Sequence, residues 1–232
     1  NSSIENHRII HVYLFLKVLD NSKNDFWNTK MPEKYKILER VSYESNPDKL
    51  LMYCIELVKS KNVSQKDFED AFKVLGLLKD KKYLERIKEN VLASDLAEPI
   101  KDFLLGLNLY YSKDFNAATP ILQKVIKTNP LNSKAMLYLA LSYLHTGEKE
   151  KFVKYSGLIL PEADDIFNAV YFISCALSKQ KMLNMGGYPN DKKISKEISS
   201  TLQSLTDIDQ HDLVIEINKS FNELGFYTIL SY

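Results

Sequence analysis

Several places in the chain hold side chains whose chemistry depends on their acting together. His7 and His11 stand one helical turn apart, the spacing at which two imidazoles can share a zinc ion. The residue after His7 is Arg8, where a zinc protease needs a glutamate, and no third ligand is close in sequence, so an incidental pair on a helix is the better reading. Asp207, Asp209, His211 and Asp212 form the run DIDQHD, which has the look of a cation site. A calcium loop also requires a glycine at its sharp bend and a distal bidentate glutamate. Neither is in register here, and helix capping by Asp209 or Asp212 accounts for the carboxylates. Asp164 and Asp165 are a carboxylate pair of the kind used in acid–base chemistry, but adjacent aspartates at a helix start serve the N-terminal dipole. Asn184–Asn190 (NMGGYPN) is rich in glycine yet lacks the spacing and following lysine of a phosphate cradle.

Other chemistries leave no mark. Cys54 and Cys175 are far apart and neither has a neighbouring cysteine, so two buried thiols are expected rather than a metal ribbon, a redox pair or a disulfide framework. A nucleophile elbow, a glycine fingerprint and an HExxH run are all missing, so the expectation is a non-enzyme with no metal and no cofactor. Thirty-one basic residues face thirty acidic ones, and the only arginines are Arg8, Arg40 and Arg86. Specific reading of DNA leans on the planar arginine fork, so nucleic acid is not an expected partner. The longest apolar run, Ile9 to Leu19, is interrupted by His11 and Lys17 and falls short of the roughly 20 residues that cross a bilayer. No membrane span is expected.

The elements that position these residues are helices throughout. Apolar residues recur at three- and four-residue steps along the chain. Helices are expected over 4–19, from Pro32 to about Val41, over 49–59, after Ser64 with Phe68, Ala71, Phe72, Leu75 and Leu78 on one face, and over 84–92. Others are expected from Asp165 through Leu177, from Asp191 to Leu205, and up to Leu224, where Gly225 suits a left-handed cap. Phe226–Tyr232 (FYTILSY) is an apolar tail that should dock on the rest of the chain or on a partner.

The most informative stretch is Leu104 to Pro130. Leu105, Gly106 and Leu109 share one helical face; after the polar break at Ser112, Lys113 and Asp114 come Phe115, Ala118, Leu122 and Val125 on a second stripe, closed by Pro130. A shift of 34 residues carries Leu105 to Leu139, Gly106 to Ala140, Leu109 to Tyr143, Asp114 to Glu148 and Val125 to Ile159, with residue character kept each time. Val74-Leu75-Gly76 echoes the same start further upstream. In these residues the chain resembles the tetratricopeptide repeat family, most clearly over 99–161. It departs from the family pattern at Asp102, Phe152 and Asp164, so the second hairpin should pack less regularly than the first.

The resemblance implies an all-α solenoid of stacked antiparallel helix hairpins. Three regions are expected: 1–96 with a degenerate repeat, 97–161 with two hairpins, and 162–232 with the last helices and the tail, joined in one superhelix. It also implies that another protein or peptide binds along the groove made by the first helix of each hairpin. By register that groove is lined by Phe103, Leu107 and Tyr110, then by Lys134, Leu137, Tyr138, Leu141 and His145. Phe103, Leu107 and Tyr138 stand where some family members grip a carboxylate, so an apolar or aromatic segment is the expected ligand. The groove could instead be filled by the chain's own helices or tail.

The expected function is a non-catalytic interaction scaffold or adaptor. The alternative is a small-ligand sensor or enzyme with a pocket framed by the helices, around His7 or His211. Asn1 in place of methionine, abundant lysine and asparagine, and few arginines fit an exported, periplasmic or membrane-anchored envelope protein of an AT-rich bacterium better than a cytoplasmic one.

Overall fold

The computed structural model describes residues 46–59, 81–159, 165–179 and 192–224. All regular structure among the described residues is α-helical, with no strand. The helices expected over 4–19, 32–41 and after Ser64, the His7/His11 pair, the Asn184–Asn190 loop and the Phe226–Tyr232 tail lie outside the described residues. None of the described helices is long and apolar enough to cross a membrane.

The described helices belong to two compact units, divided between Ser112 and Lys113. Unit 1 holds α1 (Pro47–Lys59), α2 (Lys81–Leu92) and α3 (Glu98–Tyr111). The Asn46 carboxamide opens α1, its Oδ1 accepting from the Asp48 and Lys49 amides at 3.0 and 3.3 Å; this satisfies donors that the helix itself cannot pair. α1 packs on α2 and α2 on α3. Leu50, Leu51, Cys54, Leu57 and Val58 form the buried stripe of α1, and Tyr83, Leu84, Ile87 and Val91 that of α2. Each such aliphatic side chain stabilises the unit by about 2 kcal/mol through burial. Asn108 is the polar exception. Its Nδ2 donates to the Leu84 carbonyl at 2.8 Å, tying α3 to α2 inside the core.

Unit 2 holds α4 (Phe115–Thr128), α5 (Ser133–His145), α6 (Lys149–Ser156), α7 (Asp165–Ser178), α8 (Lys192–Thr206) and α9 (His211–Glu223). Asp114 and Asn132 cap α4 and α5, accepting from the Ala117 and Ala135 amides at 3.2 and 2.9 Å. All of Ala135–His145 is buried, because α4, α6 and α7 each pack against α5. A helix apolar on every side is what such a position requires. α7 is the second centre, packed by α5, α6, α8 and α9.

Three helices of unit 2 are followed by a residue of positive φ, α7 by Lys179 at φ +54° and the other two with a bond back into the helix. After α5, Gly147 has φ +77°, and the Glu148 amide reaches back to the Tyr143 carbonyl at 2.9 Å. α8 ends the same way at Asp209, φ +62°, with the Gln210 amide on the Leu205 carbonyl at 3.0 Å. Asp209 therefore closes α8 instead of capping α9. Gln210 stands at the start of α9 with no side-chain cap, and Asp212 lies in the first turn, where its charge suits the dipole.

Candidate functional site

In unit 1, Phe103 and Leu107 are buried in α3. Tyr110 is half-buried, and desolvation drives its pKa well above the usual tyrosine value. Its ring meets Tyr111 edge-on, with centroids 5.5 Å apart.

In unit 2, Lys134, Leu137, Tyr138, Leu141 and His145 all lie on α5. Leu137, Tyr138, Leu141 and His145 are buried, while Lys134 is half-buried at the N-terminal end with its ammonium 4.6 Å from the centre of the Phe167 ring on α7. Most of the face that sequence register assigns to a partner is thus covered within the chain.

His145 shows the covering directly. Its ring stacks on Phe115, with centroids 4.3 Å apart and planes 21° off parallel. Nδ1 lies 2.7 Å from the Leu141 carbonyl and Nε2 lies 2.7 Å from Ser204 Oγ on α8. A carbonyl can only accept, so Nδ1 carries a proton; the single hydrogen of the Ser204 hydroxyl is shared between two acceptors, Nε2 and the Thr201 carbonyl, each 2.7 Å away. Desolvation is the main cause that pushes the imidazole pKa down to about 4; the Lys113 ammonium works the same way, while the Leu141 bond opposes it.

A hydroxyl 2.7 Å from an imidazole is the geometry of a serine nucleophile and its base. An imidazole with a pKa of about 4 is, however, a poor base near neutrality. Ser204 Oγ also lies 2.7 Å from the Thr201 carbonyl, which holds the hydroxyl against its own helix. The pair is a structural cross-link between α5 and α8.

Around this cross-link the α8–α9 turn meets the α5–α6 turn. Lys113 Nζ is 3.7 Å from Asp207 Oδ2, and Lys149 Nζ is 2.8 Å from Glu216 Oε2. A Cβ placed on Gly147 would lie 3.2 Å from Gln210 Oε1. Glycine is needed there twice over, for its positive φ and for the closeness of the glutamine.

The DIDQHD residues play separate parts. Asp207 pairs with Lys113 and also accepts from Gln203 Nε2 at 3.0 Å. His211 is exposed, its Nε2 3.6 Å from Asp209 Oδ1. No group of three or more metal-ligating side chains converges among the described residues. Cys54 and Cys175 are buried thiols that form no disulfide, and burial pushes the Cys54 pKa up to about 12.

Ser204, Gln210 and Glu216 have no distinguishing signal in the sequence. Ser204 sits 59 residues from the histidine it meets, and only the presence of His145 on an otherwise apolar helix hints that a polar partner is needed. On α9, Ile215, Asn218, Lys219, Asn222 and Glu223 line a shallow, open groove. Asn218 Oδ1 is shielded from solvent without a hydrogen-bond partner.

The chain matches no family model, no curated protein and no solved structure.

Proposed function

We propose that the protein is a non-catalytic interaction scaffold of tetratricopeptide-like helical hairpins, and that the α5 face of unit 2 receives an apolar or aromatic helical segment of another protein. The observation that carries this reading is the seating of α8 on the end of α5. Ser204 meets His145, and Phe115 supports the imidazole from behind. A face that accepts one amphipathic helix from its own chain has the shape and chemistry to accept another. The buried His145 supports binding over catalysis, because it is built into the packing against a helix-borne hydroxyl.

The test begins with affinity capture from the native source, identification by mass spectrometry and titration with the purified candidate. Lys134→Glu changes the half-buried rim of the face and spares the buried core. It should weaken binding about tenfold, equivalent to about 1.4 kcal/mol, with stability falling by no more than the loss of the Lys134–Phe167 contact, about 0.5–1 kcal/mol. Undiminished affinity would reject the α5 face as the binding site.

A further inference from the structure

The helices of unit 2 are held together in two different ways. α7, α8 and α9 pack on one another, and Ile198, Leu205, Ile217 and Phe221 are fully buried in the last two. Around the α8–α9 turn a set of polar contacts reaches the end of α5 and the residues beside it: Lys113 to Asp207, His145 to Ser204, Gly147 beneath Gln210, and Lys149 to Glu216. Lys113 and Asp209, both beside this contact, hold positive φ values of 61° and 62°. Such backbone is uncommon for residues with a side chain, and it persists where the surroundings enforce it.

The Lys113–Asp207 and Lys149–Glu216 pairs lie at a partly exposed edge and exchange readily for water, whereas the apolar packing of α7, α8 and α9 does not. The turn can therefore leave the end of α5 while these three helices stay together.

We propose that the α8–α9 turn is a polar latch, an intramolecular ligand on the α5 face whose release admits an amphipathic partner helix. That helix presents a hydroxyl to His145 and, one turn further on, a carboxylate to Lys113. Its chemistry is read from the latch itself, where Ser204 and Asp207 are three residues apart and meet those two groups. The inference rests on the binding role proposed for α5, and supplies its regulation and the class of its ligand.

The experiment uses the full chain with Asp207→Lys and Glu216→Lys, which turn both ion pairs into repulsions. A control adds Lys113→Asp and Lys149→Glu, which restore both pairs with exchanged signs. Amide hydrogen exchange is followed over 141–149 and 203–212, and binding of a synthetic peptide spanning residues 192–223 of this chain is measured by fluorescence anisotropy. The open variant should exchange about tenfold faster in those two segments with α7 unchanged, and should bind the peptide at least about tenfold more tightly than the parent does. The control should behave as the parent, and Ser204→Ala in the peptide should weaken its binding.

Exchange at the parental rate in the open variant would overturn the latch. So would faster exchange spread through α7, which would make the turn part of the core. A turn that opens without peptide binding would overturn the proposed ligand. If the peptide binds while Lys134→Glu leaves natural partners unaffected, the scaffold reading fails and the latch stands.

Discussion

α8 and α9 touch the rest of unit 2 at two places that differ in kind. Along their length they bury Ile194, Ile198, Leu202, Leu205, Leu213, Ile217 and Phe221, and α7 packs against both. In and beside the turn between them they offer a hydroxyl, carboxylates and an amide to His145, Lys113, Lys149 and Gly147. Apolar burial is non-directional and grows with area, so the first contact fixes the hairpin in place. The second is directional, and each of its bonds competes with water for a small net gain. Attachment and adjustability are thus separated along one hairpin, and substitutions on the two sides should differ accordingly.

The largest effect is expected on the apolar side. Phe221 is fully buried in α9, and removing a buried phenyl ring leaves a cavity that costs about 3–5 kcal/mol. Phe221→Ala should lower the denaturant midpoint of unit 2 by a matching amount with an unchanged slope. A loss below about 1 kcal/mol would erase the distinction between the two contacts, since an exposed polar pair can cost as much.

Acid should act next, through His145. Its pKa falls from 6.5 to about 4 on folding, so the unfolded chain binds the proton more readily. The stability associated with the neutral ring is complete above about pH 6.5 and declines as the pH falls, levelling off near pH 4, where the folded ring also titrates. At about 1.4 kcal/mol per unit, the full loss is about 3 kcal/mol. His145→Gln removes the titration, so the difference in unfolding free energy between variant and parent should change by that amount across the window. A pH-independent difference would mean that His145 is not held in the desolvated, neutral state.

The parts of this structure legible in the sequence are those set by local physics. The periodicity from Leu105 to Val125 and its echo from Leu139 onward locate helices close to where α3 to α6 lie, because apolar spacing reports which side of a helix is covered. It does not report by what. Leu137, Tyr138 and Leu141 read equally well as a groove for a partner or as a face packed by the chain, and in the structure they are buried. The hydrogen bond from Asn108 to Leu84 and the meeting of His145 with Ser204 link residues 24 and 59 positions apart. Such contacts depend on how helices cross, which no local spacing encodes. Asp209 carries a helix-cap signal but ends α8, since an aspartate tolerates the left-handed conformation that this turn demands.

The smallest effect belongs to the pair at the outer edge of the latch. Lys149 Nζ and Glu216 Oε2 are only 2.8 Å apart, and the hydrogen bond to Glu216 is the main cause that raises the lysine pKa. Both side chains remain about two-fifths exposed, at 39% and 42%. Water screens such a pair, and ordering two long side chains offsets much of its attraction, leaving about 0.5 kcal/mol. Lys149→Ala should therefore lower the melting temperature by about a degree or two, an effect that fades in molar salt as the Debye length contracts to about 3 Å. A salt-insensitive loss comparable to that of Phe221→Ala would place Lys149 among the residues that fix the hairpin, and the division between a rigid apolar seat and an adjustable polar edge would have to be redrawn.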